Sequence, residues 1–401
     1  MRVLVTNCTR NSGLSVIRAL TAHGFDVLGA DDRRSPFGLR SRHVVAPYLL
    51  LPPQDSPHFA ATLLEALEQV RPDVFIPTRG IRAAVQLRQE ILQRTHALLP
   101  TPAAFDAIND KAQLLAHCQS LRIAAPRIFE PDEAASWLRS SPGTRVVVKP
   151  RIDIGGGTGV HFVDEAGELA SIHARTAAAY GGAIITEYVP GPVTNLHAAH
   201  LLFDDESRLV AFFVLQKLRI WPAQVGVTVA AVSTHQTELV EQILPLFEAV
   251  RWRGPAEAEF KIDERDGRAM LLEINPRFSG AIQFPLACGV DLPGLLCRTA
   301  LGERLPRADG ASYDAGVHYV DVMRWGSAVL NEIRAERVSR RTVIARAAAE
   351  VRGPRVRSVH SLSDPAPSIA KLWLGFLPTT SYLDSQPPES SRRDSEPRQR
   401  G

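Results

Sequence analysis

Few of the features that mark secreted, membrane-spanning or nucleic-acid-binding proteins occur in this sequence. Its 401 residues include only four cysteines and no C-x-x-C pair, which is typical of reduced, buried thiols rather than a disulfide framework or a zinc site. No apolar run approaches the roughly 20 residues that cross a bilayer, and the N-terminal residues lack the apolar stretch of a signal peptide. The net charge of +3 does not indicate nucleic acid or an anionic membrane as a partner. We therefore expect a cytoplasmic protein that binds neither.

What the sequence does have is the composition of a folded protein with more than one domain, since 45% of it is hydrophobic and 22% charged. The first hundred residues alternate strand and helix patterns, which predicts an α/β domain with a parallel sheet. Strand patterns dominate from residue 145 onward, with a helix over residues 236–250. Strands grouped in this way beside helices predict an α+β domain after the α/β one.

The C-terminal part is less regular. Residues 303–376 contain an apolar strand near 317–323 and an Arg- and Ala-rich helix near 332–350, and the segment could cover an active site or form a homodimer contact. The last residues have almost no apolar side chains, so we expect residues 377–401 to be a disordered tail.

The opening strand, turn and helix admit a dinucleotide-binding interpretation, with Asp31 as the acid that holds a ribose. The turn over residues 7–13 has one glycine where that fingerprint has three, so the close approach of a pyrophosphate is not provided for. We favour a structural, Rossmann-like domain.

A lysine and a glycine-rich stretch follow the strand over residues 146–149. A lysine that ends an apolar strand is costly to bury without an anion. The sequence Gly155-Gly156-Gly157-Thr158-Gly159 leaves the backbone free to turn its N–H groups toward a phosphate chain. The alternative is a strand-end lysine, Lys149, beside a flexible hairpin.

Two acidic strand patterns carry a second set of polar residues. Glu273 and Asn275 are two residues apart, so on a strand they share a face, and Glu259 on a neighbouring strand could complete the set. Three oxygen ligands favour Mg²⁺ or Mn²⁺, and Arg277 could stabilise a transferred phosphoryl group. An edge strand with solvated acids is the alternative. Glu187, before a Pro-Gly turn, could by itself be only a polar strand end.

Taken together, these residues resemble the ATP-grasp superfamily, most of all its carbamoyl-phosphate-synthase-like and carboxylate–amine ligase members. The resemblance covers residues 1–302 and rests on the order of four motifs: Asn109-Asp110-Lys111, Val148-Lys149-Pro150 with the glycine-rich loop, Glu187-Tyr188-Val189-Pro190-Gly191, and Glu273-Ile274-Asn275-Pro276-Arg277. It implies a Rossmann-like N-terminal domain (1–105) followed by a two-lobed ATP-grasp fold (106–302) that clamps ATP.

The resemblance also implies how ATP is held. Lys111 and Lys149 would contact its phosphates, and the loop Gly155–Gly159 would close over them as a lid. Glu187 would accept a hydrogen bond from the adenine amino group, and the backbone of Tyr188-Val189 would lie against the ring.

The remaining matched residues concern the metal and the reaction. Glu259, Glu273 and Asn275 would hold Mg²⁺, and Arg277 would act with Lys149 on the transferred phosphate. Lys217 or Arg219 could assist from a neighbouring strand.

Two positions depart from the family pattern. Many members place a ribose-binding acid where this chain has Val193, so that Asn195 would have to serve as a neutral partner. Glu259 stands where Asp or Gln is commoner, but it keeps an oxygen donor.

The activity that the resemblance implies is an ATP-dependent ligase reaction. ATP would phosphorylate a small-molecule carboxylate, and an amine would attack the acyl phosphate to form an amide, releasing ADP and phosphate. The alternatives are bicarbonate activation, as in carbamoyl phosphate synthesis, and a non-catalytic nucleotide-binding module. The sequence does not specify the carboxylate or the amine, and either could be an amino acid. His197, His200, Arg219, His318 and Tyr319 could face an acceptor site or be ordinary strand residues.

Overall fold

A computed structural model describes residues 1–8, 10–33, 37–45, 48–78, 80–141, 143–152, 155–308, 310–335, 338–352, 355–358 and 361–376. The expected tail, 377–401, lies outside these ranges. Among the described residues, no helix has the length and apolar character needed to cross a membrane.

The strands are β1 (Arg2–Thr6), β2 (Asp26–Asp31), β3 (Leu49–Leu50), β4 (Val74–Ile76), β5 (Ile128–Phe129), β6 (Val146–Pro150), β7 (His161–Val163), β8 (Ala183–Glu187), β9 (Leu196–Phe203), β10 (Leu209–Trp221), β11 (Val227–Thr234), β12 (Gly254–Ile262), β13 (Ala269–Asn275), β14 (His318–Val320) and β15 (Arg355–Arg357). The helices are α1 (Asn11–Ala22), α2 (Phe59–Val70), α3 (Ile81–Gln86), α4 (Arg88–Leu92), α5 (Pro102–Asn109), α6 (Lys111–Ser120), α7 (Pro131–Ser140), α8 (Ala166–Tyr180), α9 (Glu238–Glu241), α10 (Leu244–Val250), α11 (Gln283–Ala287), α12 (Leu292–Ala300), α13 (Val322–Arg334), α14 (Arg340–Glu350) and α15 (Ala366–Phe376).

The N-terminal sheet is parallel, as its alternating pattern predicts. Its strand order is β3-β2-β1-β4, and every neighbouring pair runs in the same direction. Helix α1 ends where Gly24 takes a φ of 78°, a left-handed conformation that glycine adopts without a steric penalty. One face of the sheet packs on α2, where Phe59, Leu63 and Leu67 are buried.

Two further sheets follow and form the two lobes; the smaller is antiparallel, and the larger is antiparallel except for its last pair, β14 and β15. The smaller has the order β5-β8-β6-β7 and its own apolar core beneath α7 and α8. The larger has the order β13-β12-β9-β10-β11-β14-β15. Strands β9 and β10 are almost wholly buried because helices and the N-terminal domain cover this sheet.

Two sequence expectations about helices were wrong. The stretch 236–250 forms two helices, since Pro245 has no N–H to donate and fits only in the first turn of α10. The helix expected near 332–350 is also two helices, because the earlier one begins after Asp321 and α14 starts anew with Ser339 as its N-cap. The strand near 317–323 is shorter than expected for the same reason.

The C-terminal segment 303–376 completes the large sheet. Strand β14 pairs antiparallel with β11, and β15 pairs parallel with β14. Helices α13 and α14 are linked to β10 through Arg219, whose guanidinium contacts Glu332 and Glu350.

Candidate active site

Two neighbouring strands place the predicted carboxylates side by side. In the register of β12 and β13, Glu259 lies opposite Glu273, and Glu257 lies opposite Asn275. Directly opposed residues of an antiparallel pair project from the same face, with Cβ atoms about 4.5–5.5 Å apart. The two-residue spacing seen in the sequence therefore becomes a row of oxygen atoms at one edge of the large sheet.

Lysines from three elements converge on these carboxylates. The Lys217 Nζ lies 2.7 Å from Glu259 Oε2, and the Lys111 Nζ lies 3.3 Å from Glu273 Oε2. Lys149 Nζ makes only a long contact, 3.4 Å, to the carbonyl oxygen of Leu272. All three lysines are buried. Among the described residues, no carboxylate lies within ion-pair distance of Lys149.

The protonation of the cluster follows from burial and mutual charge. Burial, and then the positive charge of Lys111, lower the pKa of Lys149 to about 8, although Glu273 opposes this. Burial raises the pKa of Glu259 to about 7, opposed by Lys217 and reinforced by Glu273. Burial would also raise the pKa of Glu273, but Lys111, Lys149 and Lys217 outweigh it, so that pKa is lowered.

Hydrogen bonds connect Lys111, the first residue of α6, to the chain just after Lys149. Asp110 is the N-cap of α6 and accepts hydrogen bonds from the N–H groups of Ala112 and Gln113. Its carboxylate also accepts from Arg151 Nε at 2.6 Å, and the N–H of Lys111 donates to the carbonyl of Arg151 at 2.9 Å. The backbone of Lys111 is therefore held against Arg151, which directly follows β6 and lies two residues after Lys149.

The glycine-rich loop reaches across to the large sheet. Gly155, Gly156, Gly157 and Gly159 all have φ between 66° and 97°, a region that other residues rarely adopt. A Cβ atom at Gly157 would lie 1.9 Å from the carbonyl oxygen of Val225, in the turn between β10 and β11. Thr158 closes the loop by donating to the Gly155 carbonyl at 2.9 Å.

The predicted adenine hinge connects the lobes after β8. Glu187 accepts from Arg265 at 2.6 Å, and the Tyr188 ring packs beneath Lys261 Nζ at 4.9 Å. Val189 is buried. Asn195 Nδ2 donates one of its two N–H groups to the Ile262 carbonyl at 2.9 Å, so this side chain is partly engaged with β12.

Beyond the carboxylates, Arg277 lies beside Asn275. One guanidinium nitrogen donates to Asn275 Oδ1 at 3.1 Å and another to the carbonyl of Phe278 at 3.3 Å. The motif that the sequence singled out thus holds its arginine next to its amide.

Sequence reasoning missed or misjudged several neighbours of this site. It offered Lys217 and Arg219 as equals, whereas Lys217 enters the carboxylate cluster and Arg219 turns to α13 and α14. Arg265 was missed because its turn carries no motif. Glu257 was given no role, because only strand register shows that it faces Asn275.

The donor set of Glu259, Glu273 and Asn275 suits a hard cation, since it offers carboxylate and amide oxygens only. In the part of the chain that the structure describes, no group of three or more His, Cys, Asp or Glu side chains could hold a metal ion. Two carboxylates and an amide would leave other coordination positions to water or phosphate oxygens, as is usual for Mg²⁺.

Comparisons with known proteins show what this chain is similar to. A family model described as ATP-grasp in the biosynthetic pathway with Ter operon matches residues 224–323. The carbamoyl phosphate synthase large chain of Thermus thermophilus is 23% identical over 338 residues, covering 78% of this chain and 32% of that protein. Over these residues the chain is similar to ATP-grasp proteins.

Solved structures show the same fold. The biotin carboxylase domain of Hydrogenobacter thermophilus 2-oxoglutarate carboxylase, a dimer crystallised with MgADP, ADP and bicarbonate, superposes with a TM-score of 0.63 at 16% identity, covering 79% of this chain and 73% of that one. N5-carboxyaminoimidazole ribonucleotide synthetase from Thermotoga maritima superposes with a TM-score of 0.56 at 14% identity, covering 79% of each chain. This chain spans about a third or less of the length of the curated relatives it matches.

Proposed function

We propose that this protein is an ADP-forming ATP-grasp ligase that joins a small-molecule carboxylate to an amine through an acyl phosphate. The observation that carries the proposal is the lysine and carboxylate cluster between the lobes, in which Lys149 is buried without a carboxylate partner among the described residues. A buried cation of this kind is stabilised when an anion enters, and a polyphosphate is such an anion.

The chain's own residues divide the work of binding. Lys111 and Lys149 neutralise the phosphates from the small-lobe side, and the loop Gly155–Gly159 supplies N–H groups and excludes water. Glu187 and the backbone at Val189 hold the adenine, for which Glu187 has to exchange its contact with Arg265. The domain boundaries at residues 105 and 302 remain part of the proposal.

The residues that would act on the transferred phosphate lie on the large sheet and directly after β13. Mg²⁺ bound by Glu259, Glu273 and Asn275 would neutralise charge on the phosphate oxygens. Arg277 is placed beside Asn275 to orient the transferred group and to stabilise its charge. Positioning of the carboxylate for attack on the γ-phosphorus supplies much of the remaining acceleration.

The test is a screen of amino acids in pairs, scored by ADP release, followed by trapping. With ATP, Mg²⁺ and the active carboxylate but no amine, added hydroxylamine should give a hydroxamate. Heavy-isotope oxygen in the carboxylate should appear in the released phosphate. Formation of AMP and pyrophosphate would instead mean adenylation and would reject the acyl-phosphate route.

A second candidate, bicarbonate activation, is favoured by the relatives, which include carbamoyl phosphate synthase and a carboxylase domain crystallised with bicarbonate. The same cluster could phosphorylate bicarbonate. ADP release that requires bicarbonate and no other carboxylate, in buffers depleted of carbon dioxide, would favour this candidate over the ligase.

A further inference from the structure

Next to the opposed pair Glu259 and Glu273, the large sheet carries a second row of residues that lie opposite one another. Across four neighbouring strands, Phe213, His200, Glu257 and Asn275 lie opposite one another. The row with Glu259 and Glu273 lies two residues further along the strands, about 7 Å away. The second row therefore lies beside the position where Asn275 would bind Mg²⁺ and Arg277 would contact the transferred phosphate.

Glu257 differs from the other two carboxylates of the cluster. Glu273 has Lys111 and Glu259 has Lys217, whereas no Lys or Arg nitrogen among the described residues lies within ion-pair distance of Glu257. Its Oε1 accepts a hydrogen bond from Ser279 Oγ at 2.6 Å, and only 7% of the residue is exposed. A buried carboxylate with a single neutral donor is stabilised by a cationic ligand.

His200 is a second, independent observation at the same place. It is 2% exposed, and neither ring nitrogen has a hydrogen-bond partner. Its Nε2 lies 3.9 Å from Glu257 Oε1, too far for a hydrogen bond, and its ring makes an edge contact with Phe213 at 6.0 Å between centroids. Unpartnered buried ring nitrogens of this kind are costly unless a ligand satisfies them.

We propose that Glu257 and His200 form the subsite for the amine substrate, which binds there as a primary ammonium group. The carboxylate supplies the opposite charge and accepts one N–H. A ring nitrogen of neutral His200 accepts a second N–H, and burial favours that neutral form because it lowers the pKa of His200. The subsite rests on the proposed ligase function for its role, but its binding chemistry is measurable without turnover.

The experiment follows the His200 ring by NMR in protein labelled with ¹³C at histidine Cε1. There are twelve histidines, and the His200 signal is the one lost in His200→Phe, or in His200→Gln if the first variant does not fold. The protein, with fixed ADP and MgCl₂, is titrated with methylammonium chloride and, separately, with NaCl at equal ionic strength.

The expected result is a saturable shift of the His200 signal with methylammonium and none with NaCl. Apparent affinity should fall about ten-fold or more in Glu257→Gln, since a charged partner is lost. The matched control Glu241→Gln, which removes an exposed carboxylate on α9, should titrate like the wild type. No saturable shift, or an equal one in Glu257→Gln, would overturn the subsite. A shift with MgCl₂ alone, and none with methylammonium, would make it a metal site instead.

Turnover then separates the two proposals. In the pair screen, Glu257→Gln should raise the KM for the amine far more than the KM for ATP. Methylammonium binding in a protein that condenses no carboxylate with any amine would reject the ligase proposal and keep the subsite. Condensation with an unchanged KM for the amine in Glu257→Gln would reject the subsite alone.

Discussion

Two regions of this protein bury charged groups, and they do so differently. One is the edge of the N-terminal sheet where β1 leads into α1, the place that a dinucleotide would occupy. There the C-terminal segment supplies the partners: Asn11 donates to Asp321 and Ser358, and Lys371 donates to Asn11 Oδ1 at 3.0 Å. Asp364 accepts from Arg18 Nε at 2.9 Å and from Ser41 Oγ at 2.7 Å.

The other region is the cluster of lysines and carboxylates on and beside the large sheet, where partners are incomplete. Lys149 reaches only a carbonyl, Glu257 has one neutral donor, and His200 has no hydrogen bond. The contrast teaches that buried charge alone does not mark a ligand site. Groups whose partners all come from the chain hold the fold together, and groups left short of partners await a ligand.

The largest effect should come from a substitution of Glu273, one of the proposed Mg²⁺ ligands. Glu273→Gln removes a negative charge that faces Lys111 and would bind Mg²⁺, so kcat should fall ~100-fold or more. The far-ultraviolet circular dichroism spectrum should be unchanged, because the substitution preserves side-chain volume. Steady-state ADP release at limiting Mg²⁺ measures the effect.

Glu303→Gln is the matched control, since Glu303 pairs with Arg298 on the exposed surface. It should retain wild-type kcat. Full activity of Glu273→Gln at limiting Mg²⁺ would show that Glu273 is not a metal ligand.

Substitutions at the edge of the N-terminal sheet, where the C-terminal segment pairs the charged groups, should change stability rather than activity. Asp364→Ala removes the carboxylate that accepts hydrogen bonds from Arg18 and Ser41, and it should lower the free energy of unfolding by about 2–3 kcal/mol. The change is measured as a fall in Tm, with the KM for ATP as the second readout. A large rise in that KM with no fall in Tm would break the comparison between the regions.

The pH dependence of that loss has a definite sign. Burial would raise the pKa of Asp364, but hydrogen bonds from Ser41, Arg18 and the Arg42 amide outweigh it, and the pKa is lowered. The stabilisation is therefore present at pH 7 and disappears as the pH falls below the ordinary range of an aspartate. The Tm difference between wild type and Asp364→Ala should shrink in acid.

How far the sequence could predict each region depends on the range of the contacts. The parallel N-terminal sheet and the placement of Glu273 and Asn275 on one face of a strand follow from local periodicity. The contact of Arg219 with Glu350 spans 131 residues, and that of Arg18 with Asp364 spans 346. No local pattern encodes such contacts, so the role of the C-terminal segment could not be predicted.

A smaller effect is expected at the glycine loop. In Gly157→Ala, the new Cβ would meet Val225 O at 1.9 Å, and the positive φ of 76° adds backbone strain. The loop should then close poorly, and kcat should fall about ten-fold. Gly156→Ala shares the positive φ, but its Cβ would meet nothing within 4 Å. Equal losses in the two variants would mean that strain, and not the contact with Val225, limits closure.

The smallest effect concerns a proton. Because burial and Lys111 lower the pKa of Lys149 to about 8, roughly half of these side chains are neutral at pH 8. Phosphates beside Lys149 favour its charged form, so ATP binding should take up about half a proton at that pH. Calorimetry in buffers of different ionisation enthalpy measures this uptake, with EDTA present so that metal binding displaces no protons. Lys149→Met should abolish it, whereas uptake that persists in this variant would show that the phosphates lie elsewhere. The N-terminal edge offers the contrast, because its charges are already paired within the chain and should exchange no proton when ATP binds.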